Sequence, residues 1–244
     1  MPKTSVRISG RRILAGCVAG AMLMSAGSAS AQMIPDIRAS ATFVTDYRYR
    51  GVSLSNRDPA VQASIELEAS SFFVGAWGSS IADFNGATSE IELYGGWRGD
   101  FGLLQAEAGI TGHLFPGGTD TDMVELFGSL AGSLGPATAT VGLNWAPDQG
   151  NLAGSSRYAY ASLSTGIPMT PLTAKASIGH ERGSMVEDAS WRGTTSKTDW
   201  MLGVDAIVGP LTLGVAYIGN DLPEKRHFNR TAKNAFVVSL GAVF

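Results

Sequence analysis

The chain has 244 residues, 18 Lys plus Arg against 21 Asp plus Glu for a net charge of −3, and one cysteine. Charged residues are 16% of it, below the ~25% of ordinary soluble domains, and its 31 glycines approach twice the usual ~7%. A disordered chain would be more charged and less apolar and a nucleic-acid binder would be basic, so composition argues against both; the length suits one domain.

The first 31 residues read as a secretory signal peptide. Lys3, Arg7, Arg11 and Arg12 form a basic start with no acid before Asp36, Ile13 to Met24 is apolar and small, and Ala29-Ser30-Ala31 fits an A-x-A cleavage site. Two rival leaders fit less well. Leu14-Ala15-Gly16-Cys17 resembles a lipoprotein box but has only a short apolar run before Cys17, and Arg11-Arg12 matches a twin-arginine signal weakly. Cleavage after Ala31 removes those four bases, leaving 14 against 21 acids, a net charge of −7, and no cysteine. The expected domains are therefore residues 1–31, the leader, and 32–244, an exported chain without disulfides. No segment after residue 31 has the ~18 consecutive apolar residues of a transmembrane helix.

From residue 37 onward the chain alternates with period 2. Ile37, Ala39, Ala41, Phe43, Thr45, Tyr47 and Tyr49 oppose Arg38, Ser40, Thr42, Asp46, Arg48 and Arg50, with Val44 the apolar exception. Val61, Ala63, Ile65 and Leu67 oppose Gln62, Ser64, Glu66 and Glu68; Ile91, Leu93 and Trp97 oppose Glu90, Glu92, Tyr94 and Arg98; Leu104 to Ile110 oppose Gln105 and Glu107. The pattern returns from Leu172 to His180 against Lys175 and Glu181, and from Trp200 to Val208 against Asp199 and Asp205. Between the runs, short turns (Ser70-Ser71, Gly99 to Gly102, Leu134 to Ala137, Ile167 to Pro171, Gly209-Pro210) alternate with longer loops (Gly51 to Pro59, Asp83 to Ser89, Phe115 to Thr121, Pro147 to Ser155, Gly183 to Lys197, Asn220 to Lys233). These connections predict an all-β fold, an antiparallel transmembrane β-barrel of about 12 strands, with 10 possible, short periplasmic turns and longer extracellular loops. Aromatics near the expected strand ends, among them Tyr47, Phe73, Tyr158, Trp145 and Phe236, suit interfacial girdles.

The last run, Phe236, Val238, Leu240, Ala242 and Phe244, alternates up to a terminal phenylalanine. That ending resembles the signal by which barrel-assembly machinery accepts outer-membrane proteins. Val44-Thr45-Asp46-Tyr47-Arg48-Tyr49-Arg50-Gly51-Val52-Ser53 resembles the opening motif of the TorF family of porin-like proteins, a proteobacterial outer-membrane β-barrel family. Pro59-Ala60-Val61-Gln62, Val74 to Ser79, Glu92 to Gly96 and Glu125-Leu126 follow in that family's order, over residues 43–130. The chain departs from the family at His113-Leu114-Phe115-Pro116. The resemblance implies a pore-forming protein of the Gram-negative outer membrane and leaves its solute unassigned.

With apolar faces toward lipid, polar faces line the lumen. The pore-lining candidates are Asp46, Arg48, Arg50, Glu66, Glu68, Glu90, Glu92, Arg98, Glu107 and Glu125; Glu181, Asp199 and Asp205 extend the acidic side, and Arg38 and Lys175 the basic side. Ten acids against five bases predict a modest preference for cations. Arg48 and Arg50, beside Asp46, are the strongest single candidates for a constriction. They could equally touch lipopolysaccharide phosphates or, the favoured reading of the two, pair with Glu66 and Glu68 on the next strand. The parity of Arg157 is ambiguous, since Leu163 and Ile167 favour one face of its strand and Tyr158 and Tyr160 the other. The last loop, with Lys225, Arg226, His227, Arg230 and Lys233, suits lipopolysaccharide or solvent. Small barrels fill with side chains and large ones hold an aqueous channel; twelve strands lie between, so open and plugged lumens both stand.

The expected function is passive diffusion of small hydrophilic solutes or ions. Alternatives are a plugged structural barrel, an outer-membrane enzyme and, less favoured, a soluble periplasmic β-barrel binding protein. His113, His180 and His227 are followed two residues on by Phe115, Arg182 and Asn229, not by the serine of a barrel lipase. Chain spacing gives no metal pattern and no phosphate loop, so no cofactor is expected. The expected partners are outer-membrane lipid and lipopolysaccharide, periplasmic chaperones and the assembly machinery, and small solutes.

Overall fold

The computed structural model describes residues 35–188, 194–222 and 229–244. The leader, with Ala29 and Ala31, and Lys225, Arg226 and His227 of the last loop lie outside the described residues.

Twelve strands close into one antiparallel barrel. In chain order the wall begins with β1 (Asp36–Val44). A two-stranded hairpin that is no part of the wall follows, β2 (Arg48–Tyr49) and β3 (Val52–Ser53). The wall resumes with β4 (Ala60–Ala69), β5 (Phe72–Phe84), β6 (Ala87–Phe101), β7 (Leu104–Leu114), β8 (Met123–Leu134) and β9 (Ala137–Ala146). It continues through β10 (Ser156–Gly166), β11 (Leu172–Gly183), β12 (Ser196–Val208), β13 (Leu211–Asn220) and β14 (Ala235–Val243). Each strand pairs with its chain neighbour, and β14 closes the barrel on β1 with Phe43 opposite Leu240. Two single-turn helices, α1 (Ser184–Asp188) and α2 (Asn229–Ala232), sit in the last two long connections. Among the described residues no helix is long and apolar enough to cross a membrane.

Alternation is the reason the wall forms: residues i and i+2 share a face, and the apolar set points outward. Leu143 is 64% exposed, Leu202 61% and Phe236 74%, values no water-soluble wall could sustain around its whole circumference. Val238, Leu240 and Phe244 share that outer belt. Interior aromatics lie across glycines of the adjacent strand. Tyr94 covers Gly75 and Tyr158 covers Gly179, where a Cβ would collide with the ring.

Two sequence expectations need correction. The first strand was expected to run to Arg50, but it ends at Val44, whose side chain is buried with Tyr47, Ala60, Trp77 and Val237. Its apparent exception to alternation is therefore an interior position. The expected long loop from Asp83 to Ser89 is a tight turn at Asn85-Gly86, with φ of 51° and 98° and Phe84 paired with Ala87. Asn-Gly is the residue pair that a two-residue hairpin turn favours.

Candidate functional site

The connection from β1 to β4 folds into the barrel. Arg48 faces Ser53 and Tyr49 faces Val52, and the turn between them has φ of 46° at Arg50 and 82° at Gly51. Gly51 lies so close to β12 and β13 that a Cβ there would stand 2.7 Å from the Gly219 carbonyl oxygen and 2.8 Å from the Asp199 Cβ. The hairpin is internally tied: Arg48 Nε and Ser53 Oγ donate to the Asp46 carboxylate at 2.7 and 2.6 Å, and Leu54 N donates to the Tyr47 carbonyl at 2.8 Å. Ala82 N of β5 donates to the Leu54 carbonyl at 2.8 Å, and the Tyr47 ring packs 5.3 Å from that of Trp77. From the long-loop side, Val52 is covered by Val186 of α1, Leu222 and Ala232 of α2.

Arg50, at the tip, ties together β8 and β11, wall strands that are not neighbours in the barrel. Its guanidinium donates to Glu125 of β8 at 2.7 and 2.9 Å and to Glu181 of β11 at 2.5 Å. It stacks 4.6 Å from the Tyr49 ring and 4.3 Å from the Tyr158 ring. Lys197 Nζ reaches Glu181 at 2.8 Å and donates to the Arg50 carbonyl at 2.8 Å. On the other wall, Tyr47 Oη donates to Glu90 at 2.9 Å and Tyr49 Oη to Glu125 at 3.1 Å. His113 of β7 stands among three carboxylates: its Nδ1 is 3.2 Å from Glu90 and 3.4 Å from Glu92, and its Nε2 is 3.4 Å from Glu125. These charges are out of water, with Glu90 1%, Glu125 2% and Arg50 4% exposed. Side chains lining an aqueous channel would be wet; at this level the lumen is filled.

A second network lies toward the short-turn end. Arg98 bonds Glu68 and Glu107 at 2.8 Å each, stands 3.5 Å from Glu66, and stacks 4.4 Å from the Phe73 ring. Arg38 pairs with Glu68 at 3.1 Å and Asp36 at 2.5 Å, and Lys175 with Asp205 at 2.6 Å.

The structure places Glu66, Glu68, Glu90, Glu92, Arg98, Glu107 and Glu125 on the inner faces of wall strands. Asp46, Arg48 and Arg50 sit on the inserted hairpin instead. The favoured pairing of Arg48 and Arg50 with Glu66 and Glu68 does not form: Arg48 holds Asp46, Arg50 holds Glu125 and Glu181, and Arg98 and Arg38 take Glu66 and Glu68. Among the aromatics expected at the membrane interfaces, Phe73, Tyr47 and Tyr158 are interior. Arg157 faces outward while Tyr158 and Tyr160 stack inside at 5.8 Å.

Sequence reasoning missed His113, Lys197 and Tyr158. Lys197 was assigned to a loop, yet β12 already begins at Ser196 and its parity with Asp199 turns it inward. His113 becomes visible only through the register, which sets it opposite Glu92. Lys233 is exposed.

The family model described as "Bacterial protein of unknown function (Gcw_chp)" matches residues 27–244. No curated protein matches the chain in sequence. Among solved structures, an outer-membrane channel from Pseudomonas putida F1 is similar at 11% identity and TM-score 0.50, covering 90% of this chain and 98% of that one. OpdK of Pseudomonas aeruginosa, solved with vanillate, aligns at 12% identity and TM-score 0.42 over 77% of this chain and 57% of its own. OccAB3 of Acinetobacter baumannii aligns at 10% identity and TM-score 0.44, over 86% and 65%. The chain thus spans less than two thirds of these last two proteins. At 11% identity the likeness to the Pseudomonas putida channel speaks to the fold alone, an outer-membrane porin-type barrel.

Proposed function

The chain belongs to the Gcw_chp family of bacterial proteins of unknown function, and from that premise we propose that it is a porin-like channel of the Gram-negative outer membrane, held closed in this conformation by its inserted hairpin. When the hairpin withdraws, the lumen passes small hydrophilic solutes or ions with a preference for cations. The observation that carries the reading is the hairpin itself, a polar segment docked across the lumen through Arg50. The ordered likeness of residues 43–130 to the TorF family supports the same class.

The cation preference rests on inner-face charge. Ten carboxylates, Asp46 to Asp205, face six bases, since Lys197 joins Arg38, Arg48, Arg50, Arg98 and Lys175. An acidic surplus attracts cations and repels anions. In this reading the leader is removed after Ala31, the outward Phe236, Val238, Leu240 and Phe244 present the assembly signal to barrel-assembly machinery and chaperones, and the outer belt meets lipid and lipopolysaccharide. The reading contains no catalytic step.

One observation favours a second reading: each of the six interior bases is ion-paired, as in a permanently plugged structural barrel. Planar-bilayer recording across a salt gradient separates the two. The channel reading expects discrete conductance steps with a cation-sided reversal potential, infrequent in the wild type. A correctly folded barrel that stays silent even after the hairpin is released is the structural barrel.

A further inference from the structure

We propose that Glu90, Glu92 and His113 form a binding site for one divalent transition-metal cation of the Zn²⁺ class, set where the hairpin meets the wall. The site rests on local geometry and is independent of whether the barrel conducts.

Glu90 and Glu92 are i and i+2 on β6, and the register places His113 of β7 opposite Glu92. One ligand atom from each of the three, all buried, lies within 4.8 Å of the others. Zn²⁺ bonds to imidazole nitrogen and carboxylate oxygen are about 2.0–2.2 Å long, so the edges of a tetrahedral site are about 3.3–3.5 Å. The Nδ1 of His113 stands 3.2 Å from Glu90 Oε1 and 3.4 Å from Glu92 Oε1. These spacings suit ligands around a small cation.

Hydrogen bonding leaves this cluster incomplete. Nδ1 carries at most one proton, which can serve Glu90 or Glu92 but not both. Glu92 Oε1 is buried without a hydrogen-bond partner. Leaving a carboxylate oxygen so placed is unfavourable, and a cation between the three groups, in place of the Nδ1 proton, satisfies both carboxylates. One nitrogen and two oxygens select a borderline metal, since Mg²⁺ and Ca²⁺ take oxygen ligands.

The surroundings supply the outer support that metal sites require. His113 Nε2 faces Glu125 Oε2 at 3.4 Å without hydrogen-bond geometry; a small turn of the ring on binding metal would give the carboxylate–histidine arrangement that orients a metal-binding imidazole. Glu125 is in turn fixed by Arg50 at 2.7 Å and Tyr49. The second oxygen of Glu90 accepts from Tyr47 Oη at 2.9 Å, which leaves Oε1 for the metal.

The test uses the whole mature barrel, refolded with ZnCl₂ or CoCl₂ because the site is buried, then freed of excess metal. His180→Ala and His227→Ala remove the other two histidines from the background. The expected result is one tightly held metal per folded chain by mass spectrometry of the element, and a tetrahedral Co²⁺ absorption band. His113→Gln and Glu92→Gln abolish both, and Glu125→Gln weakens binding about 10- to 100-fold. Heat-modifiable gel mobility verifies folding; should His113→Gln not fold, Glu92→Gln, which keeps the side chain's shape, decides. A folded parent barrel without stoichiometric metal, or a folded ligand variant that binds like the parent, overturns the site.

Discussion

Replacing Arg50 with alanine tests the closed-hairpin reading at its centre. In the docked state Arg50 answers two buried carboxylates, Glu125 and Glu181, through bonds of 2.5 to 2.9 Å. With the guanidinium gone the docked hairpin still keeps water from both carboxylates but leaves Glu181 to Lys197 alone and Glu125 to Tyr49 and His113; in the undocked state water makes up the loss. Removing one partner of a buried ion pair costs about 3–5 kcal/mol. At about 1.4 kcal/mol per tenfold, the docked-to-undocked ratio falls by roughly two to three and a half orders of magnitude. The cation–π contacts with Tyr49 and Tyr158 disappear in the same change and act in the same direction. Single-channel recording of refolded protein reads that ratio as open time: steps rare in the wild type become frequent in Arg50→Ala. Arg157→Ala, on the exposed outer face of β10, serves as the control and leaves the wild-type pattern. A heat-modifiable, folded Arg50→Ala barrel whose open time equals that of the wild type refutes the hairpin as the closure.

Three further outcomes follow from the same geometry. In the Arg50→Ala background, Glu66→Gln with Glu68→Gln removes two interior acids and leaves Arg98 with Glu107 and Arg38 with Asp36; the reversal potential should move toward zero, and an unchanged potential removes the acidic wall as the source of selectivity. Gly51→Ala forces a left-handed φ of 82° on a residue with a Cβ, against the Gly219 carbonyl of β13 and the Asp199 Cβ of β12, for about 1–3 kcal/mol; open time should rise as for Arg50→Ala but less, and no rise would mean that the turn does not seat there. Leu202→Arg, in the middle of β12 on the outer belt, should destabilise the refolded barrel in lipid by about 2–4 kcal/mol, against about 0–1 for Leu134→Arg beside a turn; equal small losses in urea titrations would point to a water-soluble barrel.

The wall was legible because lipid and lumen impose opposite chemistry on alternate residues, as with Ile65 beside Glu66 or Leu93 beside Glu92. The same rule misled beyond Val44. The hairpin strand β2 is also extended, so Tyr47, Arg48, Tyr49 and Arg50 go on alternating after the wall strand has ended. Two signals mark the change: Val44, apolar at an interior position, and Arg50-Gly51, where the backbone turns left-handed. The interior aromatics were misplaced because a ring near a strand end suits an interface as well as a lumen. A glycine beside each ring, Gly96 for Phe73 and Gly179 for Tyr158, distinguishes the two, since a flat ring needs a bare backbone beneath it. The networks themselves were out of reach of local pattern. Arg50 meets a partner 131 residues away in Glu181, and His113 meets Glu92 only through strand register.

Barrel size explains why a segment can enter at all. Twelve strands spaced about 4.8 Å apart and tilted about 40° enclose a backbone cylinder about 24 Å across. Packed sheets stand about 10 Å apart, so wall side chains alone fill about 5 Å from each side and leave a central gap. A hairpin set midway needs two such spacings, about 20 Å, and fits. An eight-stranded barrel has no room for it, and a sixteen-stranded one leaves a channel around it. The chemistry of the filler then matters more than its volume. An apolar hairpin would gain nothing from returning to water and would seal the barrel permanently. This one keeps Asp46 and Arg48 paired within itself and presents Arg50 to wall carboxylates, a group that water also solvates well. Desolvation opposes Coulomb attraction in the docked state, so the closure proposed above would open at a smaller cost than an apolar filler of the same volume.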